Sequence, residues 1–238
     1  MSGNNYFQFK QFKITQEKAA MRVGTDGVLL GAWANITGAT NILDIGTGTG
    51  LIALMLAQRC SAKITGVEID KPAADEALQN VKYSPWDGRI NIINSSFQDF
   101  VKNTNTQFDL IVSNPPFFMN DMRPKNLNRN IARHGDKLPL SHLADGVEKC
   151  LTQNGRFSLI LPVFSAEKFI DLSTKYGLNL VHLTEVKSKD DGPTQRFLME
   201  FKRVPTICRK DSISIRISDG SDYTKTYKNL TRDFYLDL

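Results

Sequence analysis

Ile42-Leu43-Asp44-Ile45-Gly46-Thr47-Gly48-Thr49-Gly50 is the stretch on which the fold turns. Its first four residues read as a short buried strand, and glycines at alternate positions then read as a tight turn. From Leu51 to Arg59 the apolar residues Leu51, Ile52, Leu54, Met55 and Ala57 fall at helical spacing. Strand, glycine turn and helix amino terminus together form a cradle. Glycine lets the backbone approach a ligand, and the free N–H groups of the first helical turn face it. A second strand, Ile64 to Asp70, follows at the distance of a βαβ unit. It carries Glu68, 22 residues beyond Gly46, where a carboxylate takes both hydroxyls of a ribose. The combination points to an adenosine-bearing cofactor.

The glycines decide which one. A dinucleotide turn reads G-x-G-x-x-G, whereas this one reads G-x-G-x-G and is preceded by Asp44. A carboxylate there repels a pyrophosphate but can pair, through water, with the amino group of a methionine moiety. This arrangement resembles the first motif of the Rossmann-like methyltransferases that use S-adenosylmethionine, and it disfavours an NAD oxidoreductase. A second strand end matters as much. Phe108-Asp109-Leu110-Ile111-Val112-Ser113 is an apolar run stopped by Asn114-Pro115-Pro116-Phe117. Two prolines remove ladder donors and fix φ, so the strand ends there, and ligands of open α/β sheets bind at such ends. A carboxamide, rigid carbonyls and an aromatic face suit the gripping of a planar amino group. Asn114 and the Pro115 carbonyl would accept its two hydrogens, and Phe117 would stack on its ring.

Around these two motifs the chain alternates strands and helices. Further strands are expected at Ile90–Ile93, Arg156–Pro162, Leu178–Lys187 and Arg196–Val204, with a short one at Ser212–Ile217. Helices are expected at Val28–Ala34 behind a Thr25 or Asp26 cap, and at Pro72–Tyr83, Pro139–Cys150, Ala166–Tyr176 and Tyr223–Phe234. Asn94–Asp99 reads as a loop and Asn154-Gly155 as a stop between helix and strand. Tyr6 to Ile14 reads as an aromatic edge strand or hairpin, and residues 118–137 as a long basic loop. At 238 residues the chain fits one domain with a sizeable core. A net charge of +5 leans towards a polyanionic partner. Three widely spaced cysteines form neither a disulfide frame nor a zinc site. With no apolar run long enough to span a membrane and no signal peptide, a cytoplasmic protein without metal or membrane partners is expected.

A family resemblance covers nearly the whole chain. Asn114-Pro115-Pro116-Phe117 with Asp44, Gly46, Gly48, Gly50 and Glu68 resembles the amino-methyltransferases of adenine N6, cytosine N4 or glutamine amides. More narrowly, Phe9-Lys10-Gln11-Phe12, the run from Met21 to Ala34 and Ser84-Pro85-Trp86 resemble the bacterial tRNA(Val) adenine-N6 methyltransferase family. The resemblance implies a Rossmann-like class I fold: a seven-stranded, mostly parallel sheet with an antiparallel edge hairpin and helices on both faces. It implies an extension over residues 1–34 packed on the donor site of a methyltransferase domain over residues 35–238. It implies S-adenosylmethionine as donor and tRNA as partner, the target being the adenine next to the anticodon, and a monomer. Val23, Gly24 and Thr25 would close over the donor, Ile69 would flank Glu68, and Ser96 and Phe97 would meet the adenine. Arg123, Lys125, Arg129, Arg133, Lys187, Lys189 and Arg196 are expected RNA contacts, with Pro116 and Phe117 touching the target base; Lys202 and Arg203 extend that basic set. Protein glutamine-amide and other rRNA or DNA amino-methyltransferases are the rivals, since a glutamine amide fits the same tetrapeptide. The former would carry a helical recognition domain, absent from this sequence.

Overall fold

The structure, a computed structural model, describes residues 5–19, 21–116 and 138–237. Phe117 and the basic residues Arg123, Lys125, Arg129 and Arg133 lie outside them. Two short strands, β1 (Tyr6–Gln8) and β2 (Lys13–Thr15), pair antiparallel ahead of helix α1 (Thr25–Trp33). The chain then alternates through β3 (Asn41–Ile45), α2 (Leu51–Arg59), β4 (Lys63–Glu68), α3 (Lys71–Lys82) and β5 (Ile90–Asn94). Next come α4 (Phe97–Asn103), β6 (Phe108–Ser113), α5 (Leu140–Cys150), β7 (Leu151–Pro162) and α6 (Val163–Ser173). The last third holds β8 (Asn179–Lys189), β9 (Thr194–Lys202), β10 (Arg209–Arg216) and α7 (Lys225–Thr231).

Strands β3 to β10 form one eight-stranded sheet in the order β10-β8-β9-β7-β6-β3-β4-β5. Apart from β9, which runs antiparallel to both its neighbours, every pairing is parallel. After β3 the chain steps outward to β4 and β5, then returns to lay β6 on the opposite side of β3. The direction of winding therefore reverses between β3 and β6, and a ligand crevice opens at such a reversal. The glycine turn after β3 and Asn114 after β6 face each other across it.

Both faces of the sheet are covered, so its strands read as continuous apolar runs rather than polar–apolar alternation. Alternate residues nonetheless serve different cores. Ile42, Leu110, Val112 and Ile160 pack with α1, α2 and the aromatics Phe9 and Phe12. Leu43, Ile111, Leu159 and Leu161 pack with α4, α5 and α6 around Phe157, Phe169 and Phe201. Each fully buried side chain of this size contributes roughly 1.5–3 kcal/mol. Phe9 stacks on Phe12 with centroids 4.6 Å apart, which seats the amino-terminal hairpin on the first core.

Several boundaries depart from the sequence reading, each for a local reason. The sheet has eight strands, because β10 adds parallel to β8, and this strand rather than the β8–β9 hairpin forms the edge. Helix α1 begins at Thr25 behind Gly24, with no side-chain cap; Asp26 lies in its first turn and pairs instead with Arg196. The expected Asn94–Asp99 loop shrinks to two residues, since the Ser96 hydroxyl accepts from the Asp99 N–H and starts α4. Asn154-Gly155 does not stop the chain: β7 begins at Leu151, and the register against β6 slips between Leu151 and Arg156. The last helix is shorter than expected, running from Lys225 behind a Thr224 cap. No helix of the described residues is long and apolar enough to cross a membrane, and none of their acidic, His or Cys side chains cluster to hold a metal.

Candidate active site

Three backbone stretches build the floor of the crevice. Gly46, Gly48 and Gly50 adopt φ of 70°, 56° and 83°, a left-handed run that side chains other than glycine rarely tolerate. The N–H groups of Gly46 and Thr47 bond back to the Val67 carbonyl, which pins the turn against β4. Glu68, at the end of β4, is locked from both sides. Its Oε2 accepts from the Gly48 N–H at 2.9 Å, and its Oε1 accepts from the Asp70 N–H at 2.9 Å. Each oxygen keeps a further lone pair, so a preset carboxylate is left for a vicinal diol. Ile69 and Phe97 flank it, and Phe97 is wedged against Gly146 of α5.

Asp44 lies beneath the turn, fully buried. Its Oδ2 accepts from the Thr47 hydroxyl at 2.6 Å, and its Oδ1 has no hydrogen-bond partner among the described residues. Burial pushes its pKa from 3.8 up to about 7, partly countered by the Thr47 bond. A carboxyl raised in the fold contributes stability in its neutral form. That contribution is present below the unfolded value and fades as pH rises from about 4 to about 7. Thermal melts of the ligand-free protein should therefore show the wild type losing stability relative to Asp44→Asn between pH 5 and pH 8. A difference that stays flat with pH would contradict this.

Asn114 stands across the crevice at the end of β6. The Ser113 hydroxyl donates to the Ile45 carbonyl at 3.0 Å and ties the two strand ends together. The Asn114 Oδ1 is buried and has no hydrogen-bond partner among the described residues. Gly27 of α1 permits this closeness: a Cβ there would sit 3.0 Å from Leu51 Cδ2 and 3.9 Å from Asn114 Nδ2. The amino-terminal segment closes the remaining side. Both Glu76 oxygens, on α3, accept from three successive backbone N–H groups, those of Glu17, Lys18 and Ala19, at 2.7–3.0 Å. Asn80, one turn on, accepts from the Thr15 N–H and donates to the carbonyls of Thr15 and Thr49. Helix α3 thus couples the glycine turn to a strap built from residues 15–19 and 21–24.

The cavity measures about 460 Å³, within the range of small-molecule sites. Gly46, Gly48, Glu68, Ile69, Phe97, Gly24, Thr25, Asn114 and Pro116 all line it. Asp44 and Gly50 support the turn from below instead: Gly50 caps α2, and its N–H donates to Thr47. Val23 packs on the core, Pro115 is buried, and Ser96 is engaged with Asp99 while its neighbours Ser95 and Gln98 reach the cavity. The basic residues divide by strand direction. Lys187, Lys189 and Arg196 stand at the crevice end of the sheet, Arg196 opposite Pro162, whereas Lys202 pairs with Arg156 at the far end. Lys202 and Arg203 are therefore not at the site; Arg203 holds Glu148 and the Leu151 carbonyl. Arg196 donates to Asp26 at 3.0 Å, clamping α1, and the Lys189 charge acts on Asp219.

Glu76, Asn80, Met21 and Arg22 escaped the sequence reading. A signal was present: Glu76 and Asn80 share the face of α3 that carries Ala73, Ala77 and Val81, and polar groups on an apolar stripe need specific partners. The chemistry of the cavity fits S-adenosylmethionine. Glu68 offers a locked carboxylate that would suit a ribose diol, and Ile69 and Phe97 offer apolar walls that would suit a ring.

Comparison with known proteins agrees. The profile of the methyltransferase small domain family matches residues 24–162. A predicted O-methyltransferase from Agrobacterium tumefaciens shares the fold with a TM-score of 0.69 over 88% of this chain and 96% of its own, at 16% identity. A methyltransferase from Pyrococcus furiosus does so with a TM-score of 0.58 over 80% and 89%, at 18% identity. The tRNA1(Val) (adenine(37)-N6)-methyltransferase of Phocaeicola vulgatus is 46% identical over 99% of both chains. The protein of the same name from Trichodesmium erythraeum is 43% identical over 98% of this chain and 99% of its own. With the fold, the donor cavity and full-length identity all in agreement, the chain belongs to the methyltransferase small domain family and to the tRNA1(Val) (adenine(37)-N6)-methyltransferases.

Proposed function

We propose that the protein transfers a methyl group from S-adenosylmethionine to N6 of adenine 37 in tRNA1(Val), acting as a cytoplasmic monomer. The observation that carries this reading is Asn114, a residue of the cavity wall whose buried Oδ1 has no partner among the described residues. A buried acceptor without a donor costs about 1–3 kcal/mol, and an exocyclic amino group removes that cost. When bound, S-adenosylmethionine supplies an electrophilic methyl on a sulfonium centre. Asn114 Oδ1 and the Pro115 carbonyl accept the two N6 hydrogens, which draws the nitrogen lone pair out of the ring and aims it at that methyl. A nitrogen–carbon bond forms, the carbon–sulfur pair returns to sulfur, and one N6 proton is released to water. Positioning supplies the rate enhancement, so no strong base is required. Phe117 stacks on the adenine, and Pro116, exposed on the rim, borders it. The adenine leaves the anticodon-loop stack to enter the cavity, while the segment up to Ala34 packs over the donor.

Phosphate contacts come from Lys187 and Lys189 at the crevice end of the sheet, joined by Arg123, Lys125, Arg129 and Arg133. Affinity for tRNA should fall steeply with salt, and Lys187→Ala should reduce the slope of log K against log salt by about 0.7–1, with donor affinity unchanged. A salt-independent affinity would remove the basic patch from the account. The activity itself is tested with labelled S-adenosylmethionine and total tRNA from a strain lacking the gene. Label in tRNA supports the proposal; label in protein instead would favour glutamine-amide methylation.

A further inference from the structure

We infer that Arg22, in the segment 21–24 that leads into α1, binds the α-carboxylate of the methyl donor. This rests on the reading of the cavity as the donor site. Among the described residues lining the cavity, acids are plentiful and Arg22 is the lone cation: Asp26, Glu68 and Asp70 share the wall with it. All three acids already have partners, Asp26 in Arg196. Glu68 is bonded to the Gly48 and Asp70 N–H groups, and Asp70 accepts from the Ala73 N–H as the cap of α3. S-Adenosylmethionine carries a sulfonium and an ammonium that such a wall attracts, and one carboxylate that it disfavours unless a cation meets it.

Position supports the assignment. The ribose end of the cavity is fixed by Glu68 and the methyl end by Asn114. Gly27, in the first turn of α1, lies against Asn114, so the strap that leads into α1 meets the cavity at the methionyl end. Arg22 stands five residues before Gly27, between the cavity-lining Met21 and Gly24. Its exposed guanidinium offers a planar pair of donors that matches a carboxylate.

The backbone carrying Arg22 is held rather than loose. Glu76, 3% exposed, takes the N–H groups of Glu17, Lys18 and Ala19, and Gln16 Oε1 accepts from the Val23 N–H at 2.8 Å. These bonds bracket Arg22 on both sides. Glu76 is thus a positioning residue, acting on the donor through the strap.

Calorimetric titration with S-adenosylmethionine and with decarboxylated S-adenosylmethionine separates this role from general stability. Wild type should bind the carboxylated donor at least tenfold more tightly. Arg22→Gln should lose about tenfold or more on S-adenosylmethionine and stay within threefold on the decarboxylated compound. Glu76→Gln, which turns an acceptor into a donor facing backbone N–H groups, should show the same selective loss and faster tryptic cleavage after Lys18. Equal losses on both compounds, or none on either, would overturn the assignment. Failure of the wild type to bind either compound would overturn the donor cavity itself, and the assignment with it.

Discussion

Asn114→Ala is expected to lower kcat by about 10²–10³-fold while the dissociation constant for S-adenosylmethionine changes less than threefold. The magnitude is that of removing one preorganised polar group from a transition state. The acceptor holds the amino group already in the ground state, but its contribution is largest in the transition state. It matters most at the moment the lone pair leaves conjugation and the N–H bonds become more acidic. The carboxamide is held ready for this by its place at the strand end, where the Ser113 hydroxyl ties β6 to β3. Asn114→Asp, which keeps an acceptor in place, should lose less. Single-turnover rates with donor binding measured separately check the result. Loss of donor binding in Asn114→Ala would instead make the residue a wall of the donor site.

Glu68→Ala should act on the other half of the reaction. The carboxylate is expected to accept from both ribose hydroxyls, and each charge-assisted bond contributes about 1.5–3 kcal/mol. At about 1.4 kcal/mol per tenfold, donor affinity should fall by roughly 10²–10⁴-fold. The same substitution removes the acceptor for the Gly48 and Asp70 N–H groups, so the ligand-free protein should also melt at a lower temperature. Glu68→Gln retains one acceptor oxygen and should fall between. Calorimetry with S-adenosylhomocysteine, together with circular dichroism to establish folding, checks this. A folded Glu68→Ala protein that binds within threefold of wild type would show that the donor lies elsewhere.

Local sequence brought the candidate donor residues together. Asp44, the glycine turn and Glu68 lie within one βαβ unit, so their relative places follow from strand and helix lengths that periodicity reveals. Asn114 was legible for a similar reason: two prolines stop a strand wherever its neighbours lie. What sequence left hidden depends on contacts between distant segments. Glu76 reaches the strap 57 to 59 residues earlier in the chain, and nothing local distinguishes it from an exposed helical glutamate except the apolar face it shares. The edge of the sheet stays hidden because β10, after the short connection over residues 203–208, passes β9 to pair with β8, and strand order is set by packing rather than by alternation. The basic residues were equally opaque. Lys187 and Lys202 look alike in sequence, yet the antiparallel turn between their strands sends them to opposite ends of the sheet.

The central claim is that the Asn114 cavity methylates one adenine amino group in tRNA. The direct test is nucleoside analysis of an unmodified tRNA1(Val) transcript after incubation with the protein and S-adenosylmethionine. The account predicts a single N6-methyladenosine at position 37, lost when that adenine is replaced by guanine. Methylation of any other nucleoside, or methylation that survives the replacement, would contradict it.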